Sequence, residues 1–147
     1  MRFENTIEID APVERVWALT TDVEAWPQIT PTMTKVERLD DGPFRTTSRA
    51  RVKQPGQRTK VWTVTSFGPD HSFTWEARLF GAQMTATHTV TANGSGSSNR
   101  LVLDMTGPGS GLVGRLVGRQ ISKALATENA SFKRAAETSR PAHSRPT

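Results

Sequence analysis

Few side chains in this sequence of 147 residues combine a reactive type with a placement that suits chemistry. His88 stands in Ala86-Thr87-His88-Thr89-Val90 and alternates with the apolar Met84, Ala86 and Val90. A free imidazole titrates near working pH, so a histidine on such a face is a candidate general acid or base toward an enolisable carbonyl. The same position also suits, and more readily, a ring that only packs or that hydrogen-bonds a neighbouring hydroxyl, a carbonyl or a ligand. Asn5 and Ser48 are the other polar residues at inward positions. A second feature is the G-x-G-x-x-G spacing of Gly109, Gly111 and Gly114, which follows the strand-like run Arg100–Met105.

Such glycines cradle a dinucleotide only inside a βαβ unit, with an acidic residue on a second strand reaching the ribose. Nothing beyond Glu137 reads as a strand, and Glu128, at a suitable distance, lies within the same helical pattern. Gly107, Gly109 and Gly111 therefore read as a turn from a last strand into a helix, with Ser110 as N-cap. Gly114 and Gly118 fall inside that helix, where each costs up to about 1 kcal/mol relative to alanine. Either a close approach to a sheet or room for a ligand beneath the helix would offset that cost. With no cysteine, thiolate chemistry is excluded. His71, His88 and His143 fall in a turn, a strand and a tail, so neither a metal nor a cofactor is expected. Glu76 and Asp104 take the outward parity, and no G-x-S-x-G frame is present.

The elements that must position these residues follow from periodicity. Residues 2–10 alternate as a strand, with Phe3, Ile7 and Ile9 on one face. Residues 10–22 turn helical, with Asp10 as N-cap, Pro12 in the first turn and a stripe of Val13, Val16, Trp17 and Leu19. A second short helical segment ends near Trp26-Pro27. Six further strands are predicted near 33–39, 44–53, 59–67, 72–80, 83–92 and 99–106, separated by Gly-, Pro- and Asn-rich turns. Their short connections imply antiparallel pairing. One face carries Trp62, Val64, Phe73, Trp75, Ala77, Leu79, Met84, Ala86, His88, Val90, Leu101, Leu103 and Met105, and the other is rich in threonine and charge. Such a sheet needs a cover on one side. Leu112, Val113, Leu116, Val117, Ile121, Ala124, Leu125 and Phe132 recur at helical spacing and supply it. A helix over about 26 residues is about 39 Å long, enough to cross the sheet.

The stretches Ile9–Pro31, Val61–Ala77, Ala86–Val90 and Gly109–Leu125, in this order, resemble the START-like or Bet v 1-like (SRPBCC) superfamily, and its bacterial polyketide cyclase/dehydrase-like branch in particular. The resemblance covers residues 2–137. It implies an α+β helix-grip fold: a curved seven-stranded antiparallel sheet, two short helices after strand 1, and a long C-terminal helix over the concave face. It also implies a single domain over 1–137, an apolar cavity between sheet and helix, and a disordered tail over 138–147.

The resemblance points to a hydrophobic small molecule, lipid or polyketide-like, as the ligand. The candidate lining residues are Asn5, Trp26, Ser48, Trp62, Phe73, Trp75, Met84, His88, Leu103, Gly114, Leu116, Val117 and Gln120. A polyketide cyclase or dehydratase with His88 as acid/base is the enzymatic alternative. A protein- or nucleic-acid-interaction module built on the basic hairpin 45–58 is a third. The formal charge of +5 is spread along the chain, which speaks against nucleic acid. Arg45, Arg49, Arg51, Lys53 and Arg58 on the hairpin, with Arg115, Arg119 and Lys123, make either a solvated face or a transient contact with an acidic membrane surface. No signal peptide and no apolar run of about 20 residues is seen, so a cytoplasmic protein is expected.

Overall fold

The structure, a computed structural model, describes residues 1–68, 71–79 and 81–144. The chain forms β1 (Arg2–Ile9), α1 (Val13–Thr21), a 3₁₀ turn (Val23–Ala25), the single-turn α2 (Trp26–Ile29) and β2 (Lys35–Arg38). It continues through β3 (Arg49–Lys53), β4 (Lys60–Gly68), β5 (Ser72–Leu79), β6 (Ala82–Asn93), β7 (Gly96–Thr106) and α3 (Ser110–Ser144). One seven-stranded sheet has the order β1-β7-β6-β5-β4-β3-β2, and every pairing is antiparallel. The first strand thus lies beside the last. α3 covers one face, packing on β1, β7 and β6. This is the helix-grip architecture.

The inward parity holds along β5, β6 and β7: Phe73, Trp75, Ala77, Met84, His88, Val90, Leu101, Leu103 and Met105 are buried. Two departures from strict alternation shape the remaining wall. Register shifts between Val64 and Ser66, so Phe67 pairs with Phe73. The bulge turns Phe67 inward against Trp17, ring centroids 5.6 Å apart, and Phe44, 6.1 Å apart. The predicted strand over 44–53 begins only at Arg49, because Thr47 has φ +79 and breaks the pairing. The Arg45 N–H donates to Ser48 Oγ at 3.0 Å and the Ser48 N–H to Arg45 O at 2.9 Å. Ser48 therefore closes a turn.

Asp10 does not cap α1. Pro12, with φ −68 and ψ 156, is the N-cap, and its carbonyl accepts from Arg15 and Val16. The Asp10 N–H instead meets Glu137 Oε2 at 2.8 Å. Gly107 and Gly109, at φ +92 and +82, turn the chain out of β7, and Ser110 is already the first helical residue rather than the cap. α3 then runs to Ser144, past the end expected at Glu137, since no glycine or proline interrupts 119–140. Of the tail expected over 138–147, residues 145–147 lie outside the described residues.

Two kinds of contact hold α3 to the sheet. Near its start, a Cβ on Gly118 would lie 3.2 Å from the Phe3 ring, and one on Gly114 would overlap Met1 Sδ. The helix glycines therefore permit close approach to β1, with no ligand space below them. Farther on, the fully buried Asn129 bridges the first and last strands. Its Nδ2 donates to Asn5 Oδ1 at 2.8 Å and to Asn5 O at 3.0 Å, while its Oδ1 accepts from Asn99 Nδ2 at 2.8 Å. Each amide depends on the others, and a buried polar group stripped of its partner costs about 1–3 kcal/mol. Leu112 and Leu116 stand outside this packing, 63% and 71% exposed on the solvent side of α3.

Candidate ligand cavity

Between its two attachments α3 bridges the concave face and encloses a cavity of about 350 Å³. The sheet contributes Trp62, Trp75, Met84, Ala86, His88, Leu101 and Leu103; the helix contributes Val117, Gln120, Ile121, Ala124, Leu125 and Glu128. Trp26 and Met33 close one side. Gly56, Gln57, Arg58 and Gln120 are exposed and mark the mouth, between the β3–β4 hairpin and α3. The hairpin is braced by the buried Lys60, whose Nζ donates to Gln57 Oε1 at 2.8 Å. Burial, and then nearby Lys53, lower the Lys60 pKa. A wider depression of about 640 Å³ lies outside the sheet, over Thr63, Thr65, Glu76 and Arg78, and belongs to the wet face.

Of the residues expected to meet a ligand, the structure brings together Trp26, Trp62, Trp75, Met84, His88, Leu103, Val117 and Gln120. Five fall elsewhere. Asn5 is engaged by Asn129, and Ser48 closes its turn. Phe73 is wholly buried behind His88, Gly114 abuts Met1, and Leu116 faces solvent.

The aromatic wall is fixed by edge contacts and one hydrogen bond. Trp26 meets Trp75 and Phe132 edge-on at 5.4 and 5.8 Å, and its Nε1–H donates to Leu19 O at 3.3 Å. Its polar atom is thereby satisfied away from the cavity. His88 stacks on Phe73, centroids 4.7 Å apart at 8°, and leans on Trp26 at 5.3 Å. Its Nδ1 is buried without a partner. Desolvation pushes its pKa down to about 3, so the ring is neutral at working pH. That direction runs against the near-neutral titration that an acid/base role for His88 would use.

Glu128 also lines the cavity, although its charge alone does not suggest an inward position. Its side chain is buried, and burial raises its pKa to about 7 against the opposing hydrogen bond from Thr32 Oγ1, 3.5 Å away. Glu128 lies seven residues after Ile121, four after Ala124 and four before Phe132, on the apolar stripe itself. That spacing was the available signal. Among the described residues, no cluster of three or more His, Asp or Glu side chains is placed to hold a metal ion.

The family model described as polyketide cyclase / dehydrase and lipid transport matches residues 1–137. The chain belongs to this family. Solved structures agree in fold at low identity. A Thermus thermophilus protein is 17% identical, with a TM-score of 0.76 over 95% of this chain and 99% of its own. The Zhui aromatase/cyclase from Streptomyces is 18% identical, with a TM-score of 0.67 over 92% of this chain and 95% of its own. A START superfamily protein from Mycobacterium smegmatis is 19% identical, with a TM-score of 0.68 over 93% and 97%. No curated protein matches the chain by sequence. Among the described residues, no helix of this polyketide cyclase-family protein is long and apolar enough to cross a membrane.

The raised Glu128 pKa has a stability consequence. The folded state holds the Glu128 proton more tightly than the unfolded chain, so the benefit is complete below about pH 4.5 and is lost as pH rises to about 7. Over that window the wild type should lose up to about 3 kcal/mol relative to Glu128→Gln, which carries no charge to bury. Urea titrations of both proteins across the window measure the difference; parallel pH profiles would contradict the burial of an ionisable carboxyl.

Proposed function

We propose that this protein binds a hydrophobic small molecule, lipid or polyketide-like, in the cavity between the sheet and α3. The observation that carries the reading is an aromatic-walled space, open at one mouth, with one neutral histidine and one buried carboxyl among apolar groups. A volume of about 350 Å³ lies at the small end of ligand pockets, which span about 300–1,000 Å³. It suits a compact ring system against Trp26, Trp62 and Trp75 better than a two-chain lipid. Glu128, protonated in part at neutral pH, can donate to a ligand carbonyl or accept from a hydroxyl.

Ala124 lines the cavity from α3, so Ala124→Trp fills the space without touching the Asn129 bridge. Thermal shifts against a panel of polycyclic phenols, quinones, sterols and fatty acids test the reading. A true ligand at about a hundredfold excess over Kd should raise the wild-type Tm by about 5–10 °C and leave Ala124→Trp unmoved. No shift in the wild type with any class, or equal shifts in both proteins, would count against the cavity.

A second reading, a cyclase or dehydratase, is favoured by one observation: a carboxyl near neutrality faces the same cavity as His88. A general acid/base works best with a pKa close to working pH, which suits Glu128, with the neutral His88 as a hydrogen-bonding partner for substrate. With an enolisable polyketide mimic, Glu128→Gln should abolish turnover while retaining the thermal shift. Undiminished turnover would remove this role.

A further inference from the structure

Arg2, Arg38, Arg51, Arg100 and Lys133 each sit in an ion pair. Lys53 and Arg58 on the β3–β4 hairpin, and Arg115, Arg119 and Lys123 on α3, take part in none of the described ion pairs. These five cations belong to the two segments that border the cavity mouth, while Lys35, Arg49, Arg78 and Arg134 elsewhere are also outside the described ion pairs. Both segments are free of acid: no Asp or Glu occurs between Gly42 and Pro69, or between Met105 and Thr127.

The same helix carries exposed apolar groups among its cations. At about 100° per residue, Leu112, Leu116, Arg119 and Lys123 share the solvent side of α3, with Arg115 beside them. All five are exposed. Val117 and Gln120, the next positions round the helix, line the cavity. Apolar side chains ringed by cations beside the opening of an apolar cavity fit a lamella of anionic lipid, whose headgroups meet the charges and whose acyl boundary takes the leucines. A nucleic acid would match the charges but leave Leu112 and Leu116 in water.

We propose that the N-terminal half of α3 and the β3–β4 hairpin form a docking surface for anionic membranes, with the cavity mouth held against the bilayer. Ligand binding in the cavity gives this surface its purpose. Vesicle binding is measured with no cavity ligand, however, and Ala124→Trp should dock like the wild type, so the two readings fail separately.

Co-sedimentation with phosphatidylcholine vesicles, with and without phosphatidylglycerol, tests the docking surface, with circular dichroism to check each variant's fold. The wild type should partition onto the phosphatidylglycerol vesicles and release with added salt. Arg115→Ser/Arg119→Ser should weaken partitioning roughly twenty-five-fold, at about fivefold per cation. Leu112→Ser/Leu116→Ser should weaken it while keeping the salt dependence, and Arg100→Ser, on the far edge strand pair, should bind as the wild type does. Equal binding to both vesicle types, unchanged binding by the two double variants, or capture by an oligonucleotide without vesicle binding would overturn the proposal.

Discussion

The side chain of Asn129 holds the first strand, the last strand and the cover helix at one point. An open sheet with one apolar face gains by any helix laid across it, and burial alone fixes neither register nor tilt. The Asn5–Asn129–Asn99 bridge supplies that register, because shifting the helix would strip the buried Asn129 amide of the partners it has. Beyond it, Phe132 and Ala136 are buried against the fold, and α3 is held close. At the other end Gly114 and Gly118 lower the helix onto Met1 and Phe3. A stiff helix fixed at both ends spans the concave sheet between them, and the cavity is the space that curvature leaves.

Burial then decides the chemistry of that space. It drives His88 and Glu128 in opposite directions on the pH scale, and both toward the neutral form. An imidazole that stays uncharged and a carboxyl that ionises only near neutrality leave a cavity with little formal charge in its depth. Charge is kept at the mouth, on Arg58 and its neighbours. An apolar guest with one or two oxygen functions matches such a gradient, whereas a phosphate in its depth would lose its hydration without a cation in reach.

Much of the fold was legible because the sheet is wet on one side: period-two alternation names both the strands and the inner face. What escaped the sequence was local backbone geometry and the direction of side chains on α3. The bulge after Val64 and the left-handed Thr47 shift parity without a strong signal in residue type, and they moved Phe67 inward and Ser48 into a turn. Leu112 and Leu116 fit a helical apolar stripe by hydropathy, yet the arc that touches the sheet is narrower and centred on Val117, Ile121 and Glu128. His88 was found from its inward parity. Glu128 was missed because a charged residue on that stripe was weighed only as a ribose ligand. The G-x-G-x-x-G spacing proved to be turn geometry followed by close packing.

A ligand bound tightly between α3 and the aromatic wall should survive gentle purification. Native mass spectrometry of freshly isolated protein, followed by organic extraction, tests this most directly. The expected result is one adduct per chain that leaves on denaturation and proves to be a compact hydrophobic molecule, absent from Ala124→Trp prepared in parallel. An adduct-free wild type, or an adduct that persists with the cavity filled, would contradict it.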